Sequence, residues 1–176
     1  ETAPSISTHP SNATVNAGNN TSFTVEATGT GLNYQWQVNT GSGFENIIDG
    51  GVYSNATTAT LNITGATGAM NGYTYRSVVA GTAAPAATSN TATLTVNTVP
   101  TINTQPSNAT VDVGSNTSFT VEATGTGLAY QWQLNTGSGF SNIENGDVYS
   151  DATTETLSIT GATAGMDAYL YRVVVT

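Results

Sequence analysis

The chain carries nearly the same text twice. PSNATV at 10–15 returns at 106–111, VEATGTGL at 25–32 returns at 121–128, and YQWQ at 34–37 returns at 130–133, so the period is 96 residues (106 − 10). Aligning 5–80 with 101–176 leaves 22 mismatches in 76 positions and therefore 54 identities (76 − 22). A repeat this close requires one fold built twice. Identity runs through the turn at 39–44 and its copy at 135–140, so the copies have not specialised into different chemistries. Two equal modules point to a spacer, or to one weak site presented twice. The first module closes with NTATLTV at 90–96, and NTVP at 97–100 leads into the second. Domains 1–98 and 99–176 follow from the repeat. Pro100 fixes its own φ and biases Val99 to extended geometry, so the linker is expected to be short and restricted.

Composition narrows the functions. The only cations are Arg76 and Arg172, against 11 Asp and Glu, for a net charge of −9. No basic stripe exists to neutralise phosphates, which argues against nucleic-acid binding, and an acidic membrane surface would repel the chain. No apolar run approaches the roughly 20 residues of a spanning helix, so membrane insertion is not expected. The start, ETAP, lacks a charged n-region followed by an apolar h-region, and the segment reads as mature or excised. Without Lys there is no Schiff-base or P-loop chemistry, and without Cys no disulfide, thiolate metal site or cysteine nucleophile. Absence of Cys does not by itself fix the redox compartment.

Short runs alternate with period 2, separated by turn residues, as an antiparallel sandwich requires. Phe23, Val25 and Ala27 fall on one face, with Thr24 and Glu26 on the other. Tyr34, Trp36 and Val38 alternate with Gln35 and Gln37, and Leu61 and Ile63 alternate with Thr60, Asn62 and Thr64. Tyr73, Tyr75, Ser77 and Val79 share one face, as do Ala92, Leu94 and Val96. Six or seven strands are expected per module, all-β, in two sheets. The second copy ends at YRVVVT, 171–176, with no counterpart of 81–98, so it is expected to lack its final strand. Either the segment is cut from a longer array, or another chain supplies that strand by β-strand addition.

Trp36 lies 11 residues after Val25, and MNGYTYRS at 70–77 leads into the next strand. In these features the chain resembles immunoglobulin-like domains, with Val25 and Ser77 at the two Cys positions, Trp36 as core Trp and Tyr75 as the tyrosine corner. Val121, Trp132, Tyr171 and Val173 take the same roles in the second copy. With both Cys positions replaced, packing alone must hold the sheets together. TGLNYQWQ at 30–37 and the 70–77 run resemble the tandem cysteine-less Ig-like repeats of large surface and secreted bacterial proteins, especially those of Bacteroidota. That resemblance implies two tandem immunoglobulin-like antiparallel β-sandwiches joined by a short linker, the second without its final strand in this segment.

Several residues are candidates for chemistry. Trp36 and Trp132 could stack on a glycan, but their apolar period-2 neighbours point to burial. Phe44, Phe140, Tyr53 and Tyr149 lie beside glycine-rich turns and are the better candidates for exposed aromatics, the alternative being lids over the core edge. Glu144, Asp147, Asp151 and Glu155 offer hard oxygen ligands to Ca²⁺, yet they match Ile48, Gly51, Asn55 and Ala59 in the first copy and lack EF-hand spacing. Solvated acidic loops are the simpler reading. His9, the only histidine, is matched by Gln105, so no catalytic residue, cofactor or metal is assigned and no enzyme is expected. Arg76 points away from the Tyr75 face by alternation and is expected on the outer sheet surface, stacking on Gln or Tyr and pairing with Glu26 or a loop acid. Asn12, Asn55 and Asn108 open Asn-x-Thr triplets, which in a bacterial protein are usually coincidences of an Asn- and Thr-rich composition rather than glycan acceptors.

The expected function is structural: an extracellular repeat at the bacterial cell surface, serving as the stalk or spacer of an adhesin or as the body of a surface filament. Its partners would be neighbouring Ig-like repeats, or identical chains joined by strand addition. The alternative is an adhesive module that binds glycan or another cell-surface ligand through loop aromatics around Phe44 and Tyr53.

Overall fold

The computed structural model describes all of residues 1–176, and the chain divides into two compact units, Glu1–Thr98 and Val99–Thr176. Apart from two single-turn 3₁₀ segments, Gly68–Met70 and Ala164–Met166, all regular structure is β.

In the first unit, β1 (Ser5–Thr8) pairs antiparallel with β4 (Glu26–Thr28), and β3 (Thr21–Thr24) pairs with β8 (Thr60–Ile63), which in turn pairs with β7 (Tyr53–Ser54). Only Val25 separates β3 from β4, and its N–H still bonds to the Ala59 carbonyl at 3.0 Å. These strands therefore act as one sheet. The second sheet runs in the order β2 (Ala13–Asn16), β11 (Ala92–Asn97), β9 (Thr74–Ala80), β5 (Asn33–Asn39) and β6 (Phe44–Asn46), and β10 (Ala87–Thr88) also pairs with β9. Every pairing is antiparallel except β2 with β11, which is parallel.

The inward faces carry the residues that alternation selects, because successive side chains of a strand point to opposite faces. Phe23, Val25, Trp36, Leu61, Ile63, Tyr75, Val79, Ala92, Leu94 and Val96 are all buried. Trp36 sits at the centre with its ring centroid 6.5 Å from that of Phe23, which stacks on Tyr75 at 4.7 Å. Its indole N–H donates to the Thr58 carbonyl at 2.9 Å, so the ring is buried without an orphaned donor. Ile47 and Ala56 complete this core from the segment between β6 and β8. The Asp49 carboxylate accepts from the Ala56 N–H at 2.7 Å and fixes that segment's path.

The second unit reproduces this plan with β12 (Thr101–Thr104), β13 (Thr117–Thr120), β14 (Glu122–Thr124), β15 (Tyr130–Asn135), β16 (Phe140–Asn142), β17 (Tyr149–Ser150), β18 (Thr156–Ile159) and β19 (Leu170–Val175). Trp132 is fully buried and donates to the Thr154 carbonyl at 3.0 Å. Residues 109–112, which match β2, form no strand here. Phe119, Met166 and Tyr171 are half-buried where Phe23, Met70 and Tyr75 are buried. β11 both covers that part of the core and supplies the backbone groups that hold β2.

Ala168 stands at φ 62°, where the first unit has Gly72 at φ 85°. A Cβ in this left-handed region costs about 1–2 kcal/mol, yet the turn keeps its shape. The Tyr169 N–H bonds to the Met166 carbonyl at 3.1 Å, as Tyr73 does to Met70.

Replacing Trp36 with Ala leaves a large cavity and strands the Thr58 carbonyl, so the first unit should lose about 3–5 kcal/mol, enough to unfold a sandwich of this size. A melt followed by circular dichroism should then show the first unit unfolding at much lower temperature; an unchanged melt would remove Trp36 from the core.

Candidate functional site

Arg76, the one arginine of the first unit, lies on the outer face of the β9–β5–β6 sheet. The register brings Arg76 opposite Gln37, and Gln37 opposite Asn46. The Arg76 Nε–H donates to Gln37 Oε1 at 2.8 Å, while Gln37 Nε2 donates to Asn46 Oδ1 at 2.8 Å. The guanidinium carbon stands 3.9 Å above the Phe44 ring centroid. This is a cation–π contact braced by a hydrogen-bonded amide. The second unit repeats it: Arg172 donates to Gln133 at 2.7 Å and lies 4.1 Å over Phe140, and Gln133 donates to Asn142 at 2.9 Å.

The arrangement corrects two expectations. Phe44 and Phe140 are neither free aromatics nor lids over the core; they are half-buried platforms for the two arginines. Arg76 stacks on Phe44 and does not pair with Glu26, whose carboxylate instead accepts from Thr8 Oγ1 at 2.6 Å. A planar, weakly hydrated guanidinium gains more from a ring and a fixed amide than from an exposed ion pair. Its unused N–H groups are the one cationic donor set on each unit.

Tyr53 and Tyr149 are also not exposed loop aromatics. Tyr53 is half-buried against the core, and its hydroxyl shares a hydrogen bond with the Tyr75 hydroxyl at 3.1 Å. Tyr149 and Tyr171 repeat that pair at 3.1 Å. Tyr75 therefore directs its hydroxyl to another tyrosine, where a tyrosine corner would address the backbone. Desolvation and then the bond to Tyr53 push the Tyr75 phenol far above its ordinary value of 10.0. Tyr171 is raised for the same two reasons, with Tyr149 as partner.

The remaining candidates serve local structure. Asp151, at φ 63°, accepts from Ser158 Oγ at 3.1 Å, and no three carboxylates or histidines come together in a metal-holding group. His9 Nδ1 accepts from the Asn90 N–H at 3.0 Å and so tethers the chain just before β11. Asn12 Oδ1 accepts from the Thr93 N–H at 2.8 Å, a direct contact to β11. At the second Cys position, Ser77 is fully buried and its hydroxyl has no hydrogen-bond partner. Its backbone is well held, with the Ser77 N–H donating to Ser89 Oγ at 2.9 Å and the Ser89 N–H to the Ser77 carbonyl at 2.9 Å.

Two outcomes follow from these buried groups. Ser77→Val removes an unsatisfied hydroxyl and copies Val173 of the other repeat, so it should stabilise the first unit by about 1–3 kcal/mol in denaturant unfolding. The tyrosine pairs should make stability depend on alkaline pH. The folded pKa values of Tyr53, Tyr75 and Tyr171 lie above the unfolded one, so the contribution of these three is complete below about pH 10 and is lost as pH rises further, because only the unfolded chain readily releases the protons. Tm measured alongside phenolate absorbance should stay level up to about pH 10 and then fall, and Tyr75→Phe should reduce the fall.

No family model matches the chain, and no curated protein matches it. Solved structures do. The I-band fragment I67–I69 of titin aligns with a TM-score of 0.64 at 15% identity, over 100% of this chain and 65% of that one. DIP-gamma IG1+IG2 aligns at 0.65 and 15% identity, over 98% of this chain and 94% of that one. Dpr2 Ig1–Ig2 in complex with DIP-Theta Ig1–Ig3 aligns at 0.67 and 18% identity, over 99% and 60%. The chain thus spans 65% of the titin fragment's length. At these identities the likeness is one of fold, and it agrees with the strand order and buried tryptophans of each unit: the protein is a tandem pair of immunoglobulin-like β-sandwiches.

Proposed function

We propose that the protein is a non-catalytic repeat of an extracellular bacterial protein, serving as a stalk, a spacer or the body of a surface filament. The observation that carries this reading is that the two units duplicate each other down to individual contacts. The Trp–carbonyl bond, the tyrosine pair, the stacked aromatics and the Arg–Phe–Gln brace all recur with nearly the same distances. Duplication of this kind preserves a building element, whereas a single active site needs only one copy. Lys-free, acidic and hydroxyl-rich surfaces suit a solvated spacer, since net charge discourages self-association. The Bacteroidota-type source rests on the sequence motifs alone.

One observation favours a second reading, adhesion. Each unit displays a lone guanidinium, held over a ring on the outer sheet face, and such a donor fork suits a carboxylate on a glycan or on a protein ligand. Electron microscopy of native source material separates rods and filaments from isolated particles. Rods or filaments with a regular axial repeat are expected for the structural role. Saturable binding to an acidic glycan that disappears in the Phe44→Ser, Phe140→Ser double variant would replace it with the adhesive one.

A further inference from the structure

Asn145 and Gly146 form an Asn-Gly step in the exposed segment between β16 and β17. At such a step the asparagine side chain meets least obstruction from the next residue, because glycine has no Cβ to shield its own backbone nitrogen. The side chain is held in an activated state. Asn145 Oδ1 accepts from the Ala152 N–H at 2.9 Å, and its Nδ2 group bonds to nothing in the chain. A backbone N–H on Oδ1 polarises the Cγ carbonyl and stabilises charge that gathers on that oxygen, as the donors of an oxyanion hole do. The unbonded amide is the group that would leave. One bond restrains the step: the Gly146 N–H donates to the Tyr149 carbonyl at 2.9 Å, in an isolated bridge between those two residues.

The first unit shows what the product would look like and what a protected step looks like. Asp49 stands there in place of Asn145, accepts from the Ala56 N–H at 2.7 Å, and is followed by Gly50, which donates to the Tyr53 carbonyl at 2.9 Å. An aspartate is thus a residue that this fold already carries at the same place with the same two bonds. The other Asn-Gly step, at 71–72, has a similar donor, since Asn71 Oδ1 accepts from the Val96 N–H at 3.0 Å. Its restraint is different. The Gly72 N–H is tied to the carbonyl of Leu94 at 2.8 Å, and Leu94 is fully buried on β11. Freeing Gly72 means pulling a strand out of the core, whereas freeing Gly146 means opening a surface turn, and local openings of exposed bonds cost far less.

We propose that Asn145 is a site of self-modification by deamidation. The Gly146 nitrogen gives its proton to solvent base and bonds to Asn145 Cγ, the Cγ–Nδ2 bond breaks, and ammonia leaves with a proton from water. A second water then opens the five-membered imide to aspartate. Oδ1 stays on Cγ throughout, so the Ala152 N–H directs this water to Cγ, which restores the normal main chain and places the carboxylate as in Asp49. Attack at the other imide carbonyl would leave a β-linked chain with an extra methylene, an outcome that nothing in the unfolded chain disfavours. Each event takes the net charge from −9 to −10 (−9 − 1). The proposal stands independently of the spacer role. The test is to age the full chain in mildly alkaline heavy-oxygen water, folded and in urea, and to map the label by mass spectrometry. In the folded chain the label should enter at Asn145 about tenfold faster than at Asn71, or more, and in urea at similar rates. The folded product should be normal aspartate, cut by an Asp-specific protease, and the urea product a mixture with the β-linked form. Asn145→Asp makes the product directly and should melt with the parent. No conversion at Asn145 in the folded chain while the chain in urea converts, equal folded rates at the two steps, the same product mixture in both states, or loss of the second unit's fold in Asn145→Asp would each overturn the proposal.

Discussion

Each sandwich depends on one buried indole that joins two sheets no disulfide connects. Trp36 lies on β5, in the second sheet, and hydrogen-bonds to the carbonyl of Thr58, on the approach to β8 in the first. The Trp36 N–H and carbonyl reach further, to Ala56 at 2.8 Å and Ile47 at 2.9 Å, so one residue gathers the whole segment between β6 and β8. Removing the disulfide of the common immunoglobulin plan transfers its task to this ring and to Val25, and the aromatic stack of Phe23 and Tyr75 extends the same contact. Burial of large aromatic surface with its one donor satisfied supplies stabilisation without the redox requirement of a crosslink.

Around that centre the strands differ in how much they depend on one another. β5 and β9 pair over seven residues in the first unit, and β15 and β19 over six in the second. These central ladders persist irrespective of what lies beside them. β2 is different, since its ladder bonds go only to β11, and residues 109–112 stay irregular where no such strand is paired with them. Order passes outward from the Trp-centred pairs to strands with a single neighbour, which explains why Val111 and Val174 are exposed in one unit while Val15 and Val78 are half-buried in the other.

The outer face shows how a nearly cation-free chain uses its two arginines. An exposed carboxylate would contribute little as a partner. A ring below and an amide alongside hold the guanidinium in one geometry, and the Gln–Asn bond passes that order on to the next strand. The same brace in both units stiffens the β9–β5–β6 face and its counterpart while leaving the fork's remaining donors available.

Alternation and repetition are local or self-referential signals, so the β class, the inward residues and the burial of Trp36 and Trp132 were legible in the sequence itself. A side chain's face in a strand follows from its neighbours' parity, whatever the strand pairs with. Other features belonged to the tertiary structure, because they are contacts between residues far apart in the chain. The parallel pairing of β2 with β11 joins residues 81 positions apart, and the stacking of Arg76 on Phe44 requires the β5–β9 and β5–β6 registers together. Tyr53 turned inward because the Tyr75 hydroxyl, buried on the opposite sheet, needed a partner. Ile47 entered the core from an irregular segment that carries no period to read. The sequence by itself determined which strand residues would be inside; only the folded chain decided which of them would meet and which residues of the irregular segments would join them, since the choice among non-local partners is set by sheet register and by the demand that buried polar groups be paired.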